Sequence, residues 1–293
     1  MSKKIPIYHY IEYLFLRSLE SIMILLPRKL SLALGALCGD MLRIMGVYRS
    51  VVNKNMDYAG LFDKKRKKVI IKKLYLNIGR LFADFLRPSD IPPPYSVENI
   101  DIAKTVFSRG KGSIVVLAHF GNWEALASVF GMQFYDLNVL AKPMKNLLIE
   151  KWLSAKRLKA HVTPVYPAQA LRKLLTIIKR GGIIAMLIDQ YAGTNGTPAP
   201  FLGKTANTVR TVAGLLHKTD CGIIFAYALL QKNGVYDIHI EEGPSLPISR
   251  DEHDAFITAY QAAHNDVLSR WITGNPEYYF GWFHRRFKGR ISY

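Results

Sequence analysis

Ser113-Ile114-Val115-Val116-Leu117-Ala118-His119-Phe120-Gly121-Asn122-Trp123-Glu124 begins with a polar residue, runs through five apolar ones, and then changes character at a histidine. An apolar run of this length with no polar alternation reads as a strand buried on both faces. Such a strand delivers His119 to the carboxyl edge of a sheet, where α/β proteins place their ligands. Gly121 permits a tight turn, and Asn122 can cap a following helix. Glu124 then falls in the first helical turn, close enough for its carboxylate to fold back onto the imidazole. A carboxylate on one ring nitrogen fixes the tautomer and leaves the other nitrogen as a base. The motif contains no Ser or Cys nucleophile, so a hydroxyl would have to come from the substrate. His119 would take its proton while the oxygen attacks a thioester, and an oxyanion stabiliser is then required. A bare His-x-x-x-x-Glu spacing arises by chance. The strand before it and the turn and cap within it give it weight.

Downstream of residue 100 the same alternation continues. Strands are expected at 113–118, 137–141, 162–166, 183–188, 222–230 and 235–240, with helices at 122–133, 145–160, 168–180 and 207–219 between them. Strand and helix in turn predict an α/β fold with a mostly parallel central sheet flanked by helices. Asn233-Gly234 predicts an antiparallel pairing of the last two strands. A final helix over about 251–273 carries Phe256, Tyr260, Val267 and Trp271 on one face.

Upstream the pattern is helical. Two apolar stretches, 11–26 and 30–46, meet at Pro27-Arg28-Lys29 and are interrupted by Glu12, Arg17, Glu20, Asp40 and Arg43. Neither is a clean span of ~20 apolar residues. Their composition suits helices lying in a membrane interface, with Arg17, Arg28, Lys29 and Arg43 toward anionic lipid, or a shallow tilted span for 11–26. The chain therefore divides into N-terminal membrane-associated helices over 1–46 and a catalytic unit over 47–293. Short and long helices are expected at 49–60 and 63–87, the latter opening with Lys64-Lys65-Arg66-Lys67-Lys68 and stopped by Pro88.

Charge points the same way. The chain carries 40 Lys and Arg against 22 Asp and Glu, a net +18, and residues 1–87 hold 17 of the former and 6 of the latter. Such an excess suits an anionic partner: a membrane surface, a phosphorylated substrate or nucleic acid. No helix-turn-helix, RNP or zinc-finger signature is present, which argues against nucleic acid. Cys38 and Cys221 stand alone in apolar stretches and read as free thiols rather than metal ligands.

His119-Phe120-Gly121-Asn122-Trp123-Glu124 resembles the HxxxxE/D motif of lysophospholipid acyltransferases, most closely the bacterial lipid A biosynthesis (lauroyl/myristoyl) branch. Further segments agree in order: Gly181-Gly182 through Asp189-Gln190, Pro200-Phe201-Leu202-Gly203-Lys204 followed by Thr208, and Trp282-Phe283-His284-Arg285-Arg286-Phe287-Lys288. The resemblance implies a glycerol-3-phosphate acyltransferase-like fold and transfer of a fatty acyl chain from acyl carrier protein to a hydroxyl of a phosphorylated lipid. It also implies the cytoplasmic face of the inner membrane and no metal or redox cofactor. Arg157 stands where the family carries a proposed oxyanion arginine; a surface arginine on a basic helix is the rival reading. The family usually continues that block to a glycine, and here His161 takes the place. Asp189 would pair with Arg157 or with substrate. Gln190, Phe201, Gly203 and Thr208 join the substrate-binding candidates, and Arg285, Arg286 and Lys288 would meet substrate phosphate or membrane. The stretch Tyr191–Gly196 is short and neutral where relatives are longer and charged, which leaves another glycolipid or a lysophospholipid as alternative acceptors. The remaining alternative is a non-enzymatic basic membrane-binding protein.

Overall fold

A computed structural model describes residues 5–134, 136–166 and 170–293. Four helices come first: α1 (Ile7–Leu25), α2 (Arg28–Ile44), α3 (Arg49–Ala59) and α4 (Lys64–Leu86). The basic first turn of α4 opposes the helix dipole. Asp63 offsets this by capping it, accepting from Arg66 N at 2.8 Å. Then follow β1 (Tyr95–Glu98), α5 (Ile100–Ser108), β2 (Ser113–Leu117), α6 (Trp123–Phe134), β3 (Leu137–Leu140), α7 (Leu147–Lys159), β4 (Val162–Val165), α8 (Ala170–Lys179) and β5 (Ile183–Leu187). The chain closes with β6 (Thr197–Phe201), β7 (Lys204–Thr208), α9 (Thr211–Lys218), β8 (Gly222–Leu230), β9 (Tyr236–Glu242) and α10 (His253–Gly274). Residues 168 and 169, expected to open α8, lie outside the described residues.

Seven strands form one sheet in the order β1-β9-β8-β2-β5-β3-β4. Every neighbouring pair is parallel except β8–β9, which pair antiparallel across the Asn233-Gly234 turn. The α/β expectation therefore holds. β2 is central, and all five of its residues are buried. Ile114 and Val116 face the core shared with α8, α9 and α10, whereas Val115 and Leu117 face that of α5 and α6. Two buried faces are why its sequence shows no alternation.

Five elements differ from the sequence expectation. β1, α5, β6 and β7 are additional to it. Residues 207–208, expected to start a helix, instead end β7, and that helix begins at Thr211. β6 and β7 form a separate two-stranded hairpin. Pro198 and Pro200 obscure β6 in the sequence, because proline is tolerated only where no ladder N–H is needed. The hairpin turns through Leu202 (φ 51°) and Gly203 (φ 71°), so Gly203 serves a left-handed turn.

The N-terminal helices are built into the molecule. Gly35 and Gly39 of α2 lie against Gly79 and Tyr75 of α4 so closely that a Cβ on Gly39 would stand 2.0 Å from the Tyr75 carbonyl oxygen. Only glycine allows two helix backbones to approach in this way. α1 is also tied by hydrogen bonds: Trp152 donates to Glu20 (3.0 Å) and Asn146 to the His9 carbonyl (2.8 Å). Its apolar side chains Ile7, Ile11, Leu14, Phe15 and Leu25 are exposed. Met23, Tyr13, Leu16 and Leu19 pack inward against α4 and Trp152, so α1 is apolar on its inner face and also carries apolar side chains on its outer one, which a water-facing helix would not. Among the described residues no single helix is long and apolar enough to cross a membrane; α2 and α3 pass together by length and composition but are bent by 83°. Of the cations expected to reach lipid, Arg28 turns inward to Asp84, Arg43 pairs with Asp40 and Arg17 with Glu20.

Candidate active site

The turn after β2 is fixed by backbone pairing. Phe280 N donates to the His119 carbonyl (2.6 Å), Gly121 N to that of Tyr278 (2.9 Å) and Asn122 N to that of Ala228 (2.8 Å). Gly121 has φ 62°, and a Cβ there would sit 2.1 Å from the Ala228 carbonyl oxygen. Strain and collision together demand glycine. Asn122 caps α6 as expected, accepting from Ala125 N at 2.9 Å.

His119 does not take Glu124 as its partner. Its Nδ1 meets Oδ1 of Asp189 at 2.9 Å. Asp189 follows β5, the parallel neighbour of β2, so the two strands deliver both side chains to the same sheet edge. The Asp189 side chain is fully buried. Burial pushes its carboxyl pKa up, but the charge and hydrogen bonds of His119 outweigh burial and hold it below the ordinary value. An ionised Asp189 can only accept. Nδ1 therefore carries the proton and Nε2 is left as acceptor. Gln190 Nε2 donates to it at 3.2 Å and to Nε2 of His284 at 3.1 Å.

His284 lies within the Trp282–Lys288 segment, where the sequence gives it no role of its own. Burial first, and then the charge of His119, lower its pKa. It is thereby kept neutral, so its Nε2 can accept from the amide. Nothing local in the sequence marks it, because the 3-10 turn over Phe280–Phe283 brings it beside a loop 94 positions away.

Glu124 serves another network. Its carboxylate accepts from Arg157 Nη2 at 2.5 Å and from Nε at 3.3 Å, with both side chains 18% exposed. Arg157 therefore pairs with Glu124 and Asp189 with His119, where an Asp189–Arg157 pair had been one expectation. His161, beyond the end of α7, has φ 56°. It adopts the left-handed conformation that favours glycine.

The downstream candidates divide by burial. Arg286 is 1% exposed. It donates to the carbonyls of Gln190 and Asn207 and to Thr208 Oγ1, and lies 4.7 Å from the Phe201 ring centroid. It therefore clamps the Asp189-Gln190 loop to β7 from within and is not available to a membrane or a phosphate. Thr208 and Phe201 are equally buried in that clamp, and Gly203 is in the hairpin turn. Arg285 and Lys288 are exposed, over the rings of Tyr293 and Tyr191.

A second chain of bonds ties α2 to the site. Arg28 holds Asp84 with two contacts of 2.8 and 2.7 Å. Tyr236 donates to Asp84 Oδ2 at 2.9 Å and accepts from Asn122 Nδ2 at 2.8 Å. Burial, and then the Asp84 charge, raise the Tyr236 pKa well above the ordinary value, so its proton stays in place to be donated.

His119 opens onto an apolar cavity of about 510 Å³ walled by Leu42, Tyr48, Tyr75, Ile78, Phe280 and Phe283. Leu42 of α2 brings the first 46 residues into the wall of the site, and Tyr48 follows just before α3.

The site is thus an oriented histidine at the carboxyl edge of an α/β sheet, beside an apolar cavity. Over residues 2–289 the chain matches the sequence profile of the bacterial lipid A biosynthesis acyltransferases, and it belongs to that family. No curated relative matches the chain. Family membership makes it an acyltransferase of lipid A biosynthesis and disposes of the non-enzymatic alternative.

Proposed function

We propose that the protein moves a fatty acyl chain from an acyl carrier protein thioester to a hydroxyl of a phosphorylated lipid A precursor, at the cytoplasmic face of the inner membrane. The observation that carries this reading is His119, with Nδ1 held by a buried carboxylate and its side chain among the residues that line an apolar cavity. The acyl chain occupies the cavity. Nε2 takes the proton of the acceptor hydroxyl as its oxygen attacks the thioester carbonyl. When the tetrahedral intermediate collapses, the C–S bond breaks and the imidazolium returns its proton to the departing thiolate. Asp189 stabilises the imidazolium in between.

In this scheme Glu124 orients Arg157. Two guanidinium nitrogens donate to Glu124, while Nη1 keeps its donors for the developing oxyanion or the substrate. Membrane attachment is through the outward apolar face of α1, supported by its exposed side chains. His119→Ala should lower transfer from acyl carrier protein at least about 10³-fold while the far-ultraviolet spectrum is kept; undiminished transfer sinks the reading. Mass spectrometry of the product lipid identifies the acceptor, and a lysophospholipid or other glycolipid product would replace the lipid A precursor.

A further inference from the structure

A second groove lies between α1 and α7, with a volume of about 530 Å³. Its walls include Arg17, Lys151, Lys156 and Lys159 against the acids Glu20 and Asp90. Glu20 is engaged by Arg17 (3.1 Å) and by the Trp152 indole (3.0 Å). Lys156 is half-buried, donating to the Arg87 carbonyl and lying over the Phe85 and Trp152 rings. Lys151 and Lys159 are exposed and make no hydrogen bond or ion pair among the described residues.

The groove's position is more telling than its charge. Pro88, Ser89 and Lys156 line both this groove and the small cavity that reaches Asn122, Glu124 and Arg157. Along its length it is bordered by Tyr13, Arg17, Glu20 and Ile24 of α1, a helix that also carries exposed apolar side chains. The groove thus lies between the exposed apolar side chains of α1 and the small cavity at Glu124 and Arg157. An anionic headgroup whose chains stay beside α1 would fall among the lysines. Burial pushes the Lys156 ammonium down to about 8. A phosphate beside it would restore the charged form.

We propose that the groove between α1 and α7 seats a phosphate of the membrane-borne acceptor lipid, with Lys151, Lys156 and Lys159 as its cationic wall. This rests on the acceptor reading above. It places donor and acceptor on two sides of α6: the acyl chain in the cavity at His119, and the phosphorylated headgroup along the groove toward Glu124.

The test compares a Lys151→Ala/Lys159→Ala variant with Lys64→Ala/Lys65→Ala, which removes the same charge from the exposed start of α4. The groove variant should raise KM for the phosphorylated acceptor about tenfold, as expected for losing charge-assisted contacts at a partly solvated site. KM for acyl carrier protein should not change. Binding to phosphatidylcholine vesicles doped with phosphatidic acid should fall by a similar factor, and binding to undoped vesicles should hold. Equal losses in the two variants would reduce the groove to generic basic surface. A rise confined to the KM for acyl carrier protein would assign the groove to the acidic donor. Either result overturns the proposal. If the unmodified protein acylates no phosphorylated lipid, the acceptor reading fails, while the vesicle comparison still decides whether the groove binds phosphate.

Discussion

His119 and Glu124 stand five positions apart in one short motif, yet their side chains belong to different networks. His119 is tied to the end of the neighbouring strand β5 through Asp189 and to the C-terminal segment through Gln190 and His284. Glu124, in the first turn of α6, is tied to Arg157 of α7 and borders the small cavity beside the basic groove. The first network can carry a proton; the second fixes a cation. A motif spacing records the course of the backbone, and the partner of each side chain is chosen by whatever the sheet brings alongside.

That division can be broken experimentally. The largest effect should come from Asp189→Asn, which removes the carboxylate that sets the His119 tautomer. Transfer should drop about 10³- to 10⁴-fold, the scale of such a change in a histidine-based site, measured as kcat with the acyl carrier protein thioester. Glu124→Gln should cost less, about 10²-fold, as expected when a group supporting an oxyanion donor is lost. The same loss should appear in Arg157→Ala, and the double variant should be no worse than either single one. If Glu124→Gln exceeds Asp189→Asn, or if its loss adds fully to that of Arg157→Ala, the separation of the two networks fails.

Smaller effects probe the tether between α2 and the catalytic turn. Asp84→Asn leaves Arg28 without its charge partner, and Arg28 is 20% exposed at its side chain. Discounting the 3–5 kcal/mol typical of a broken buried pair for that exposure gives about 2 kcal/mol of lost stability, readable by urea unfolding. Asn122→Ala removes the α6 cap and should cost about 1 kcal/mol in the same measurement. An unchanged urea midpoint for Asp84→Asn would mean that the N-terminal helices are not coupled to the site through this chain.

Much of the fold was legible because its signals are local. The run Ile114–Ala118 is uninterrupted because β2 has neighbours on both faces. Gly121 and Asn122 announce a turn and a cap through their own backbone preferences, and Asn233-Gly234 announces a hairpin. β6 was hidden by its two prolines. β1 and α5 were hidden by length, being four and nine residues long.

The candidate site was legible residue by residue but not pair by pair. His119, Glu124, Arg157, Asp189 and Gln190 were each singled out, whereas His284 was passed over and Arg286 was read as a surface group although it is buried. Arg286 shows why. A guanidinium can be buried only where backbone carbonyls are aimed at it, and the carbonyls of Gln190 and Asn207 come from two distant loops.

The sequence by itself determined the alternating architecture, the turn that presents His119, the excess of positive charge and the family. Tertiary structure alone decided that Asp189 rather than Glu124 holds the imidazole. It also decided that Arg28 faces inward, and that the N-terminal helices wall the cavity at His119. Backbone conformation follows from neighbours in the chain, but the ionisation and pairing of a side chain follow from neighbours in space, and the parallel register of β2 with β5 sets His119 beside Asp189 across 70 residues.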